Sequence, residues 1–216
     1  MSLFPMFVKL QGRTVVVVGA GLVAEGKIPA LLASDANVCV VAPTATPQIL
    51  AWARQGKINW LPRSFTPGDL DGASLVIAAT AATGVNQSVF QESEARGIFC
   101  NAVDDIANCH FYYGAVVQRG DLQLAISTNG KSPALAQRIR KELEETYGEE
   151  YAPWLEKLGT ARNVLRAKAT GFERIKEILH RLASKEMFDR FRRSSIGVSG
   201  AVVNKMPIRS EQGAAS

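Results

Sequence analysis

Long apolar runs are missing from this sequence, and no stretch is long enough to span a bilayer, so no membrane partner is expected. Met1 to Leu10 lacks the basic segment and apolar run of a secretory leader. Cysteine is scarce: Cys39, Cys100 and Cys109 show no metal-ligand spacing, and no His/Cys cluster marks a permanent metal site. An odd cysteine count without a leader fits a reducing cytoplasm, the expected location. Blocks of basic residues interleaved with aromatics are also missing, which argues against nucleic acid. The net charge of +5 is modest and suits an acidic ligand. What the 216 residues do contain is 47% hydrophobic and 21% charged, enough for a sizeable core in one large domain or one plus a smaller partner.

The chain is organised around Thr14-Val15-Val16-Val17-Val18-Gly19-Ala20-Gly21-Leu22-Val23-Ala24. Four consecutive valines read as a parallel strand buried on both faces. Gly19-x-Gly21-x-x-Ala24 then matches the dinucleotide fingerprint with alanine in its last place. Gly19 makes the tight turn, Gly21 lets backbone approach a pyrophosphate, and Ala24 allows close helix packing. The N–H groups at the helix start face the anion. A tight strand-to-helix turn without a ligand is the alternative.

The helix after the fingerprint is predicted over 22–34, with Ile28, Leu31 and Leu32 on its buried side and Pro29 removing the bond to Glu25. Strands are predicted over 38–42, 58–61, 75–79 and 98–103, and helices over 47–55 and from Thr83, a candidate cap, to Gly97. This alternation means a doubly wound, Rossmann-like parallel sheet. The second strand ends in Ala42-Pro43-Thr44, without the Asp or Glu that often holds the ribose and without an arginine for a 2′-phosphate. Ribose contacts are therefore expected from Thr44 or backbone.

After Asp104-Asp105 the pattern changes. Segments 111–118 and 122–127 read as a hairpin joined by Arg119-Gly120-Asp121, followed by Ser132 as N-cap and Pro133 as first residue of an amphipathic helix. A strand pair and one helix bury little alone, so a second copy of the chain is expected as partner. From about Tyr151 the chain is helical, with basic residues on its faces. The division predicted is 1–110, 111–148, 149–196 and a mobile tail over 197–216.

These residues resemble the precorrin-2 dehydrogenase family of siroheme and cobalamin biosynthesis. The resemblance rests on Phe4-Pro5-Met6-Phe7, the glycine loop with Lys27, Ala42-Pro43, Ala78-Ala79-Thr80 with Asn86, Cys100-Asn101-Ala102-Val103-Asp104, and Ser127-Thr128-Asn129-Gly130-Lys131-Ser132-Pro133. It implies a homodimer with an NAD domain, a small α+β dimerisation domain and a C-terminal helical domain, oxidising precorrin-2 to sirohydrochlorin with NAD as hydride acceptor. Some members also insert ferrous iron, and in others a methyltransferase follows, for which this chain is too short. The chain departs from the pattern at Gly26, where arginine is common, and at Asn129, where glycine is common.

Asp104 is the first candidate for catalysis. It follows a parallel strand at the sheet edge where such folds bind ligands, a carboxylate there can take a proton, and the family's catalytic aspartate matches it. A capping carboxylate is the alternative, and Asp105 reads as a structural helper. The fingerprint points to cofactor contacts at Gly19 and Gly21, and the resemblance implies them at Leu22, Val23, Pro43 and Thr44. Thr80 and Asn86 border the nicotinamide side or cap a helix. Asn101, Lys131 and Ser132 are candidates for the substrate, with Lys131 and Ser132 able to hold a propionate at a helix start. The family includes a phosphorylated serine at the position of Thr128. His110 and His180 read as structural and solvated. Two rivals remain: a dehydrogenase that is also a ferrochelatase, and a nucleotide-sensing module without catalysis.

Overall fold

The computed structural model describes residues 3–167 and 171–203. The last part of the tail, 204–216, lies outside the described residues, while 197–203 continue a helix. The described residues divide into two compact units, the first formed by those up to Tyr113 with Ser127–Ser132, the second by Gly114–Ile126 with the described residues from Pro133 onward. The sequence reading cuts at 110/111. The compact units separate after Tyr113, and the loop before Pro133 returns to the first of them.

In the first unit β1 (Thr14–Val18), β2 (Asn37–Val41), β3 (Asn59–Leu61), β4 (Leu75–Ala78) and β5 (Phe99–Ala102) form one parallel sheet in the order β3-β2-β1-β4-β5. Helices α1 (Leu22–Ala33), α2 (Pro47–Arg54) and α3 (Thr83–Arg96) cross between strands. The valine run explains β1: alternate residues point to opposite faces, and both faces are covered. Val15 and Val17 pack with Ala24, Ile28 and Leu31 of α1. Val16 and Val18 pack with Leu70, Val89 and Cys100. The exposed Pro29 sits inside α1. Thr46 caps α2 by accepting from the Ile49 N–H at 3.3 Å, with Pro47 in the first turn.

One expected cap is corrected. Thr83 is the first residue of α3, and Ala82 stands at the N-cap without a side-chain bond. The turn is closed otherwise: the Thr80 N–H donates to Asn86 Oδ1 at 3.1 Å, and the Ala82 N–H donates to Thr80 Oγ1 at 3.2 Å.

In the second unit β6 (Ala115–Arg119) and β7 (Leu122–Ile126) form an antiparallel pair, followed by α4 (Pro133–Thr146), α5 (Tyr151–Ala167), α6 (Phe172–Leu182) and α7 (Lys185–Val203). Ala115 and Val117 are buried while Val116 is 45% exposed, the alternation of a sheet covered on one face. Arg119 donates from Nε to Tyr147 O at 2.8 Å and from Nη2 to Glu144 O at 3.2 Å, satisfying carbonyls at the end of α4. Tyr151 and Phe188, 4.3 Å between ring centroids, join α5 to α7. Among the described residues no helix is long and apolar enough to cross a membrane.

Candidate active site

The carboxyl ends of β1, β2 and β4 frame a cleft of about 570 Å³. Its floor is the glycine turn. Gly19 has φ +106°, and a Cβ there would stand 2.4 Å from Ala79 O, so only glycine fits. Backbone bonds fix the turn between its neighbours: Gly19 N–H to Val41 O at 2.9 Å, Ala79 N–H to Val18 O at 2.8 Å, and Thr46 N–H to Ala20 O at 3.1 Å. Gly21 differs. A Cβ there meets nothing within 4 Å. Gly21 is the N-cap of α1, and the first bond of that helix runs from Glu25 N–H to Gly21 O. The N–H groups of Leu22, Val23 and Ala24 thus precede the intrahelical ladder, as an anion site requires. Open space at Gly21 beside the free N–H groups of the α1 start fits a dinucleotide pyrophosphate.

The expected cofactor residues fall in two groups. Gly19, Gly21, Pro43, Thr44 and Thr80 line the cleft. Leu22, 79% exposed, and Val23 do not, and what they present at the start of α1 is backbone N–H. The Thr80 hydroxyl lies 2.7 Å from Asn86 Oδ1 and 3.0 Å from Ala82 O, and the Asn86 Nδ2 donates to Thr80 O at 3.0 Å. Asn86 therefore shapes the rim of the cleft. Ser64 and Phe65, unforeseen in the sequence, also line it. The neighbouring Arg63 is turned to Asp69, donating from Nη1 to Oδ2 at 2.8 Å and from Nη2 to Oδ1 at 2.5 Å. That guanidinium holds the Asp69 carboxyl below the usual carboxylate range.

Asp104 sits at the same edge of the sheet. Val103 N–H donates to Ala78 O at 2.9 Å, so the turn after β5 begins beside the end of β4. Asp104 is exposed, and its φ of 62° puts a non-glycine residue in the left-handed region. The surrounding turn is over-determined. Asp105 N–H donates to Ala102 O at 3.2 Å, and the Asp105 carboxylate accepts from Asn108 Nδ2 at 2.6 Å. The Cys109 thiol donates toward Ala102 O at 3.0 Å and Asp105 O at 3.1 Å.

Asn101 is buried, and its amide donates to Phe111 O at 2.8 Å and contacts Cys109 Sγ at 3.4 Å. Both contacts run through the amide nitrogen, so Asn101 holds the return of the chain from Cys109 to Phe111. His110 is structural as read: its Nδ1 accepts from Cys100 N–H at 2.9 Å, its Nε2 meets Glu94, and its ring stacks on Phe90 at 4.9 Å. Burial pushes the Cys100 thiol up to about 11 and raises Cys39 and Cys109, which disfavours thiolate chemistry at neutral pH.

The loop Ser127–Ser132 reaches this region. A Cβ on Gly130 would lie 3.8 Å from Ile106 Cδ1, which puts the loop against the turn that follows Asp104. Asn129 has φ 54° and Gly130 φ 75°, so asparagine accepts the left-handed conformation where glycine is common in the resembling family. Lys131 N–H donates to Thr128 O at 3.0 Å and Ser132 N–H to Thr128 Oγ1 at 3.2 Å. Lys131 is exposed and Ser132 half-buried. Among the described residues no group of three or more His, Cys, Asp or Glu could hold a metal ion.

Comparison with known proteins agrees with this geometry. A family model described as putative NAD(P)-binding matches residues 6–115, and one described as sirohaem biosynthesis protein central matches 119–146. Siroheme synthase 1 of Aeromonas hydrophila is 38% identical over 190 residues, covering 88% of this chain and 39% of that protein. Siroheme synthase 1 of Cronobacter sakazakii is 42% identical over 144 residues, 67% of this chain and 31% of its own length. The chain thus spans well under half of these curated relatives. The solved structure of SirC, precorrin-2 dehydrogenase, superposes with a TM-score of 0.74 at 28% identity, covering 86% of this chain and 92% of that one. With residues 6–115 matched by that family model, the chain belongs to the putative NAD(P)-binding family, and it is similar to siroheme synthases and to SirC, precorrin-2 dehydrogenase.

Proposed function

We propose that this chain oxidises precorrin-2 to sirohydrochlorin with NAD, with Asp104 as proton acceptor. The observation that carries this reading is Asp104 itself: an exposed carboxylate in a left-handed conformation, at the end of β5, one strand away from the dinucleotide cleft. The oxidation removes a hydride and a proton from the macrocycle. NAD supplies the hydride acceptor. The chain's own residues do the rest. The start of α1 holds the pyrophosphate, Thr80 and Asn86 shape the nicotinamide side, and the Asp104 carboxylate takes the proton. Lys131 and Ser132, on the loop against the Asp104 turn, are proposed to hold a propionate of the substrate, and Asn101 serves by fixing the adjoining segment.

NAD is preferred to NADP. Pro43 and Thr44 offer no cation at the end of β2, and Arg63 is engaged by Asp69. The homodimer is proposed from β6 and β7, a two-stranded sheet with Val116 exposed on its open face. The function is tested by anaerobic incubation with precorrin-2, NAD and ferrous iron, following NADH and siroheme absorbance together. NADH without siroheme supports the dehydrogenase alone, both products support the bifunctional rival, and NAD binding without NADH supports the sensing module. In Asp104→Asn, turnover should fall about a hundredfold or more while NAD affinity hardly changes. A wild-type rate in Asp104→Asn would remove the base from Asp104 and make it a cap.

A further inference from the structure

Among the described lysines and arginines of the first unit, Lys27 alone is half-buried. Arg63 and Arg96 of that unit each meet a carboxylate. Lys27 is half-buried on α1, and no carboxylate among the described residues lies within ion-pair distance of it. Its ammonium stands instead over the ring of Tyr113, 3.9 Å from the centroid. Burial lowers its pKa, and the nearby charges of Asp104 first and Cys109 second act against that lowering. Burial also pushes the Tyr113 hydroxyl up to about 12, so Tyr113 stays neutral and offers the ammonium only its ring.

A partly desolvated ammonium without a paired anion costs free energy in the protein alone, and it repays that cost when an anion arrives where water is already excluded. Two anions are available under the reading above: the cofactor pyrophosphate and the carboxylate side chains of the tetrapyrrole. The pyrophosphate belongs at the start of α1. Lys27 is six residues beyond Gly21, about 9 Å along the helix axis, on the Asp104 side. Asp104 also creates a need, because a carboxylate-bearing macrocycle brought to an aspartate meets like charge. A cation beside that aspartate offsets it.

We infer that Lys27, positioned by the Tyr113 ring, binds a carboxylate side chain of the tetrapyrrole and seats the macrocycle against Asp104. The inference rests on the proposed substrate and deepens it by naming the group that recognises the substrate's acidic rim. Lys27 forms and breaks no covalent bond and is a binding residue.

The test is equilibrium binding of sirohydrochlorin, the proposed product, to the full chain, with its fully esterified form as control. Lys27→Met should weaken sirohydrochlorin about tenfold, the scale of one charge-assisted contact, whereas Lys27→Arg should stay within about threefold of wild type. The ester should bind wild type and Lys27→Met equally, because it offers no anion. NAD affinity should be unchanged in both variants. Thermal melting guards against misfolding: losing a partly desolvated charge should leave the midpoint of Lys27→Met no lower than wild type, and Lys27→Gln provides a second neutral variant. Equal sirohydrochlorin affinity in wild type and Lys27→Met would overturn the assignment while leaving the proposed substrate intact. So would a parallel loss of NAD affinity, which would point to the pyrophosphate. A wild-type chain that does not bind sirohydrochlorin would overturn the substrate reading and this inference with it.

Discussion

The two compact units bury themselves in different ways. In the first, Val15, Val16, Val17 and Val18 are each at most 1% exposed, and both faces of the sheet have helices upon them. In the second, β7 alternates between half-buried and exposed residues, and neither α5 nor α6 holds a buried one. Its described buried residues are few: Ala115, Val117, Ala136, Phe188 and Phe191. The first unit closes a core by itself and can therefore carry strained loops, such as that of Asp104, at its carboxyl edge. The second resembles half of a larger core, the physical motive for the proposed dimer.

The sharpest way to break this comparison is at Gly19 and Gly21. Gly19→Val drives side-chain atoms into the Ala79 carbonyl at a positive φ, and it should cost about 4 kcal/mol or more, read as a collapsed denaturation midpoint. Gly21→Val has open space around its Cβ and should keep the fold while abolishing NAD binding in calorimetry. Unchanged NAD affinity in Gly21→Val would remove the fingerprint argument.

Core truncation comes next. Ile77→Ala in β4, fully buried, should cost about 3 kcal/mol in urea unfolding. Val116→Glu in β6, on the open face of the hairpin, should cost under about 0.5 kcal/mol within one chain, as surface substitutions do. Its larger effect should fall on association, and sedimentation at micromolar concentration should show monomer. A wild-type chain already monomeric there would sink the dimer proposal.

A small, pH-dependent effect is expected at Asp69. The Arg63 guanidinium lowers its folded pKa, so this carboxylate stabilises the fold above its unfolded value of about 3.9 and loses that contribution as pH falls through the folded value. Asp69→Asn should therefore be less stable than wild type at pH 7, by no more than about 1 kcal/mol since Arg63 is largely exposed, and the two should converge in acid. Melting midpoints across pH check the sign. A gap that widens in acid would refute the linkage. The same variant frees Arg63 and should raise NADP affinity relative to NAD.

The fold of the first unit was legible because its signals are local. Four valines need two covered faces, Gly19 and Gly21 follow them directly, and Pro47 and Pro133 stand at helix starts where a missing N–H costs nothing. The place of Asp104 was legible for the same reason, as a carboxylate just beyond a strand, while its part as proton acceptor belongs to the proposal. The Thr83 cap failed because the bonds closing that turn come from Thr80 and from Asn86 three residues further on. Asn101 stood in the right motif, but its amide bonds to Phe111 and Cys109 could be read only from the fold.

The sequence by itself determined the parallel sheet, the glycine turn, the lack of an acid after β2 and the change of pattern after Asp105, since periodicity and single-residue stereochemistry set each of them within a few residues. Only the tertiary structure decided that the Ser127–Ser132 loop lies with the first unit against Ile106, that Arg63 faces Asp69, and that Lys27 stands over Tyr113 near Asp104. The last of these joins residues more than seventy positions apart. Such meetings are set by how α1 and the return after β5 pack on the sheet, and no period in the chain encodes a distance across it.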